Sequence, residues 1–185
     1  MKDVVTLIFG DSIAYGLYDN ELGWSYRLRK KLNKNNFIFN LAIPGQNSND
    51  ILDKFEIELK NRYNSVDDFK IIFSFGIKDT LNNNIDNFKD NIIKIINKTK
   101  IYTNDITFIG LIQPDTNKRV EYNLDIVKLF DNTLEEICKK ENINYLKLID
   151  LINNNELTDG LHPNDIGHEK ISNIIFEEIY ESYRV

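Results

Sequence analysis

Near its start the chain reads Val4-Val5-Thr6-Leu7-Ile8-Phe9, followed directly by Gly10-Asp11-Ser12. A short run of apolar and β-branched residues without polar alternation is typical of a strand covered on both faces, as in parallel sheets. The glycine and the polar residues after the run predict a turn at the carboxyl end of this strand. Because open parallel sheets bind their ligands at that edge, Ser12 is predicted to lie in a site.

The rest of the chain repeats this strand pattern and alternates it with helical patterns. Four similar runs follow, at Phe37–Leu41, Lys70–Phe75, Asp105–Leu111 and Asn144–Leu148. Between them, apolar residues recur at helical spacing in these sets: Trp24, Leu28 and Leu32; Ile51, Phe55 and Leu59; Phe88, Ile92, Ile95 and Ile96; Val127, Phe130, Leu134, Ile137 and Cys138; Ile171, Ile174, Ile175 and Ile179. Strands that alternate with helices predict an α/β protein, here a three-layer α/β/α sandwich with a parallel sheet. Since no repeat or linker interrupts the pattern, residues 1–185 are predicted to form a single domain.

The composition excludes some classes of function. The chain is 42% hydrophobic with a net charge of −6, so a nucleic-acid partner, which requires a basic face, is not expected. The run Arg29-Lys30-Lys31 is interpreted as the solvated face of a helix. No segment approaches the roughly 18 apolar residues of a membrane span, and no signal peptide is recognised, so a cytoplasmic location is expected. The single cysteine, Cys138, is predicted to be a small core residue.

A second informative stretch lies near the end of the chain, where it reads Asp159-Gly160-Leu161-His162-Pro163-Asn164. A serine becomes a useful nucleophile when a neutral imidazole takes its proton and a carboxylate holds that imidazole in the right tautomer. Ser12, His162 and Asp159 are therefore predicted to be catalytic, with Asp159 close enough in sequence to fold back on the imidazole. The alternative is that Ser12 caps a helix and Asp159 forms a turn. The nucleophile-elbow pattern G-x-S-x-G is absent, which excludes an α/β-hydrolase of that kind.

The second histidine, His168, is predicted to be structural because it falls in the first turn of the last helix. A metal site is the alternative, since Asp159, His162, Asp165 and His168 recur every third residue. Pro163 interrupts any helix that would align these four side chains, so a metal is not expected.

Glycines mark the same edge of the predicted sheet. Gly10, Gly45, Gly76 and Gly110 each lie at or just beyond a strand, and Gly160 lies in the final loop. Each could simply turn the chain. Taken together, they favour a site in which a substrate closely approaches backbone N–H groups.

These residues resemble the GDSL-like, or SGNH, hydrolase family, block by block and in the family's order. Gly10-Asp11-Ser12 resembles its first block, Asn40-Leu41-Ala42-Ile43-Pro44-Gly45 its second, Phe75-Gly76-Ile77-Lys78-Asp79 its third and Asp159–Asn164 its last. The resemblance implies a flavodoxin-like sheet of five parallel strands, no cofactor, and hydrolysis of esters or thioesters. It also implies that the Ser12 and Gly45 backbone N–H groups form the oxyanion hole. The expected substrate is a small ester such as an acetylated sugar or a lysolipid, chosen by loops such as Tyr15–Leu22 and Asn47–Asp50.

One position departs from the family pattern. Lys78 stands where the third block has an asparagine that donates a hydrogen bond to the oxyanion. Three interpretations stay open: the Ser12 and Gly45 donors suffice, Lys78 donates in place of the asparagine, or Asn47 takes that role. A rival hypothesis is a binding protein on the same scaffold that has lost catalysis. A nucleotide or phosphate binder is disfavoured because neither G-x-G-x-x-G nor G-x-x-x-x-G-K-[ST] occurs.

Overall fold

The sheet has five strands, all parallel. The computed structural model describes residues 3–63 and 68–180. The strands are β1 (Val4–Gly10), β2 (Asn36–Asn40), β3 (Asp68–Ser74), β4 (Ile106–Ile109) and β5 (Asn144–Leu146). Their order across the sheet is β2-β1-β3-β4-β5. This is the flavodoxin-like order, so the predicted fold is confirmed.

Six α-helices lie within the described residues and flank the sheet. They are α1 (Ser12–Tyr15), α2 (Gly23–Lys31), α3 (Ser48–Arg62), α4 (Ile85–Thr99), α5 (Leu124–Glu141) and α6 (Asp165–Ile175). A π-helical turn, Phe176–Tyr180, continues α6, and the Tyr180 hydroxyl lies 2.6 Å from Thr6 Oγ1 on β1. Among the residues that the structure describes, no helix is both long and apolar enough to cross a bilayer.

Several elements differ from the sequence prediction; β5, for example, ends at Leu146 and not at Leu148. Strand β4 ends at Ile109 and does not continue to Leu111, because the Leu111 N–H turns away from the sheet and donates to Asp131 Oδ1 on α5. Residues 47–50, expected in a loop, instead form the N-cap and first turn of α3. The Asn47 Oδ1 there accepts from the Asn49 and Asp50 N–H groups.

A ladder of phenylalanines crosses the middle strands of the sheet near its carboxyl edge. Phe9, Phe73 and Phe108 are cross-strand neighbours on β1, β3 and β4. Their rings stack with centroids 5.7 and 4.8 Å apart and all three are buried. Stacked rings add to the free energy of burial. Since Phe9 is only three residues before Ser12, the ladder gives the carboxyl end of β1 a rigid base.

Candidate active site

Ser12 and His162 meet at the carboxyl edge of the sheet. Ser12 is the first residue of α1, whose N-cap is Asp11, directly after β1. His162 lies in the loop before α6. The Ser12 Oγ and His162 Nε2 atoms are 2.9 Å apart, within hydrogen-bond distance, and the imidazole is only 7% exposed. The structure thus brings together the two side chains that the sequence prediction paired, across 150 residues of chain.

Asp159 binds the other side of the imidazole. Its Oδ2 lies 2.9 Å from His162 Nδ1, and its Oδ1 accepts from the backbone N–H groups of Leu161 and His162, at 3.0 and 2.9 Å. Partial burial acts to raise the pKa of Asp159, but the hydrogen bonds from the backbone and ring of His162 outweigh it and lower the pKa to about 2. The carboxylate is therefore anionic at neutral pH and can hold a proton on Nδ1, which leaves Nε2 free to accept from Ser12.

Arg119 is a further contact of this carboxylate, and sequence analysis missed it. Its guanidinium donates to Asp159 Oδ2 at 2.8 Å and, through Nε, to Glu121 Oε1 at 2.8 Å. The loops that carry Arg119 and Asp159 are packed closely, because a Cβ on Gly160, whose φ is +88°, would lie 2.8 Å from Lys118 Cβ. No sequence motif marks Arg119, since its contact arises only where the two loops meet.

The loop between β2 and α3 carries the predicted oxyanion donor. The Ile43 N–H donates to the carbonyl of Gly10, and the Asn40 side chain donates to the carbonyl of Ala14, so this loop is tied to β1 and α1. Gly45 is exposed, with φ at +83°. A Cβ built on Gly45 would meet no atom within 4 Å, so space for a substrate is open beside its backbone. Gly10 and Gly110, in contrast, are packing glycines, since a Cβ on either would lie within 2.6 Å of a neighbouring atom.

A buried carboxylate fixes the turn that carries Lys78. Asp79 Oδ1 accepts from Ser48 Oγ at 2.5 Å, and Asp79 Oδ2 accepts from the Ser48 N–H at 3.0 Å. Burial raises the pKa of Asp79 to about 6. The turn is thereby held against the start of α3, directly after the Gly45 loop. The Lys78 side chain itself is exposed, and within residues 3–63 and 68–180 its Nζ makes no hydrogen bond or ion pair.

The remaining predicted residues lie in the core. His168 is fully buried in α6, and burial lowers its pKa to about 4, so the ring is neutral. Cys138 is buried on α5, and burial raises the pKa of its thiol to about 12. Within the described part of the chain, no cluster of three or more His, Cys, Asp or Glu side chains is arranged to hold a metal ion.

Asp11, beside Ser12, should make stability depend on pH. It is buried, its Oδ1 accepts from the Ile13 N–H at 2.9 Å, and burial raises its pKa from 3.8 to about 7. The folded state thus holds this proton more tightly than the unfolded state. The resulting stability is fully present below pH 3.8 and is lost as the pH rises to about 7.

We expect Asp11→Asn to raise Tm at pH 8 and to change it little at pH 4, because the amide oxygen can still cap α1 and carries no charge to bury. One pKa unit is about 1.4 kcal/mol, so the gain at pH 8 should be at least about 3 °C. Thermal unfolding followed by circular dichroism at both pH values measures it. Asp86→Asn, at a residue whose side chain is 92% exposed, is the control. An equal shift at both pH values would contradict the linkage.

Comparison with known proteins identifies the family. The family model of the GDSL-like lipase/acylhydrolases matches residues 8–170. No curated protein sequence matches the chain. Among solved structures, a lipolytic protein of the G-D-S-L family from Veillonella parvula superposes with a TM-score of 0.81 at 17% identity, over 95% of this chain and 98% of that one.

Two further structures have the same fold. A lipase/acylhydrolase from Enterococcus faecalis gives a TM-score of 0.77 at 20% identity, over 100% of this chain and 98% of its own. The psychrotrophic esterase EstA from Pseudoalteromonas gives 0.76 at 20% identity, over 96% and 97%. At these identities the superpositions show the shared fold, and the family model extends the likeness to the sequence. The chain therefore belongs to the GDSL-like lipase/acylhydrolase family and is a hydrolase of ester bonds.

Proposed function

We propose that the chain is a serine hydrolase that cleaves carboxylic esters or thioesters through an acyl-enzyme, with Ser12, His162 and Asp159 as its catalytic triad. The observation that carries this proposal is the 2.9 Å contact between Ser12 Oγ and His162 Nε2, with the Asp159 carboxylate on the opposite ring nitrogen. A protein that only bound a ligand would not need this alignment, so the geometry favours catalysis over the rival binding function.

The reaction follows from the roles of these groups. Ser12 Oγ attacks the acyl carbonyl while its proton passes to His162 Nε2, and Asp159 stabilises the imidazolium that forms. The negative oxygen accepts hydrogen bonds from the N–H groups of Ser12 and Gly45. His162 then gives the proton to the leaving oxygen or sulfur, and the acyl group stays on Ser12. Water attacks this acyl-enzyme, His162 again acts as base, and the carboxylic acid leaves.

Lys78 is outside this scheme. Its side chain is exposed and makes no hydrogen bond or ion pair within the described ranges, so no such bond holds its ammonium group toward an oxyanion. The side-chain oxygen of Asn47 caps α3, so only its NH₂ group remains as a side-chain donor. We therefore propose that the two backbone donors carry the oxyanion hole, and that small esters such as acetylated sugars or lysolipids are the substrates.

A fluorophosphonate probe tests the nucleophile directly. The probe should attach covalently to Ser12, found by mass spectrometry of the labelled peptide, because only an activated hydroxyl attacks phosphorus quickly. Ser12→Ala should lose the label, and His162→Ala should label far more slowly. Ser25→Ala, at another buried serine, is the matched control and should label like the parent. Labelling elsewhere, or unchanged labelling of Ser12→Ala, would refute the mechanism.

A further inference from the structure

The ring of Tyr18 lies against the imidazole of His162. The two ring centroids are 5.3 Å apart and the planes meet at 75°, an edge-to-face contact. Tyr18 is nevertheless 59% exposed. One part of the ring thus touches the buried imidazole while the rest faces solvent at the mouth of the site.

The loop Gly16–Gly23, which carries Tyr18, is closed at its base and anchored. Gly16 and Gly23 touch backbone to backbone, since a Cβ on Gly16 would lie 2.5 Å from the nitrogen of Gly23. The buried Asp19 carboxylate accepts from the Gly23 N–H and from Arg27, both at 2.7 Å. These contacts place Tyr18 beside His162 before any substrate binds.

The backbone at Tyr18 is in a conformation that favours glycine. Its φ is +67°, in the left-handed region, where a large side chain is disfavoured. A residue keeps such a backbone conformation when the surrounding structure holds it there, and here the anchored loop holds Tyr18. A tyrosine kept at a position suited to glycine indicates that the ring has a use other than turning the chain.

The proposed reaction determines which part of a substrate would lie against the Tyr18 ring. His162 must deliver its proton to the leaving oxygen, so the alcohol portion of the ester has to lie beside the imidazole. The acyl oxygen lies instead toward the N–H groups of Ser12 and Gly45. Tyr18 contacts the imidazole and is open to solvent, so its ring is placed to meet the alcohol portion of a substrate.

We propose that Tyr18 forms the wall of the leaving-group site and selects esters whose alcohol carries a ring. A half-exposed tyrosine offers a flat apolar face together with a hydroxyl, which suits an aromatic alcohol or a sugar ring more than a short open-chain alcohol. This proposal rests on the proposed triad mechanism, because it uses His162 as the acid that protonates the alcohol.

The test varies the alcohol while the acyl group stays acetyl. Phenyl acetate, an acetylated monosaccharide and ethyl acetate all form the same acetyl-enzyme. Ratios of kcat/KM between variant and parent cancel the intrinsic reactivity of each ester. Tyr18→Ala should lower kcat/KM roughly five- to tenfold for a ring-bearing alcohol and less than about twofold for ethyl acetate. Deacylation of the acetyl-enzyme, where water replaces the alcohol, should be unchanged.

Further variants separate the effect of the Tyr18 ring from the effect of its backbone conformation. Tyr18→Gly keeps a residue suited to the left-handed backbone and should show the same loss of selectivity with an unchanged Tm. Tyr18→Phe should retain kcat/KM for phenyl acetate. If kcat/KM of Tyr18→Phe falls only with the sugar ester, the Tyr18 hydroxyl contacts the sugar. If it falls with neither ester, the face of the ring makes the contact. Tyr26→Ala, at another exposed tyrosine, in α2, is the matched control and should leave all ratios near the parent.

Three results would overturn the proposal. An equal loss with all three alcohols and in deacylation would mean that Tyr18 only orients His162. No loss with any ester would mean that the ring does not contact substrate. If the parent protein neither turns over these esters nor is labelled at Ser12, the triad mechanism is refuted, and the role of Tyr18 with it. The absence of parent activity distinguishes this outcome from the first two.

Discussion

Asp159→Asn should lower kcat by about 10⁴-fold, as loss of the correct imidazole tautomer does in serine proteases. The hydrogen bonds around Asp159 explain why. Its Oδ1 is held by two backbone N–H donors, so an asparagine would keep its oxygen there and turn its amide toward His162 Nδ1. Arg119 donates to Oδ2, where the amide would then lie, and so opposes this orientation, but the two backbone donors at Oδ1 outnumber it.

An amide facing Nδ1 forces that nitrogen to act as an acceptor. The proton then sits on Nε2, which can no longer take the proton of Ser12. Steady-state kinetics on p-nitrophenyl acetate measures the loss, and a fluorophosphonate probe should label the variant correspondingly slowly. Asp150→Asn, at an exposed aspartate in the preceding loop, is the control and should keep parent activity. A loss of less than about tenfold would contradict the assigned role.

Lys78→Asn should raise kcat/KM by about 10²-fold, the lower end of what one oxyanion donor contributes. The backbone of this turn is fixed on both sides, by the Asp79 N–H donating to the carbonyl of Gly76 and by the Asp79 carboxylate on Ser48. An exposed side chain can be exchanged on that frame without repacking.

Lys78→Met separates the added donor from the lost charge. It removes the ammonium and supplies no donor, so it should give little or none of the gain seen with asparagine. Values of kcat/KM with p-nitrophenyl acetate for both variants and the parent show whether the gain comes from the added donor or from the lost charge. If both variants lose activity, the ammonium of Lys78 is itself the working donor, and the two-donor oxyanion hole proposed above is wrong.

Much of this architecture is readable from the sequence because the signals are local. The unbroken apolar run before Gly10 predicts a parallel strand and, with it, the edge at which Ser12 lies. His162 and Asp159 are three residues apart, so their pairing needs only one short loop. Boundaries were less predictable where a tertiary contact sets them, as at Leu111, which Asp131 draws away from β4.

The contacts that sequence reasoning missed join segments with no pattern of their own. Arg119 reaches Asp159 only because two irregular loops pack together at Gly160. Tyr18 reaches His162 because a loop is closed by two glycines and an aspartate about 140 residues before it. Neither residue type is unusual in a loop, and their roles depend on backbone geometry that composition and periodicity do not encode.

The long separation between the proposed nucleophile and its proposed base has a consequence for biosynthesis. Ser12 is translated 150 residues before its imidazole partner, which lies in the loop before α6. A nascent chain that has completed only the first strands therefore holds an inert hydroxyl. Catalytic turnover through the proposed triad therefore requires that the segments around Ser12 and His162 are both in place.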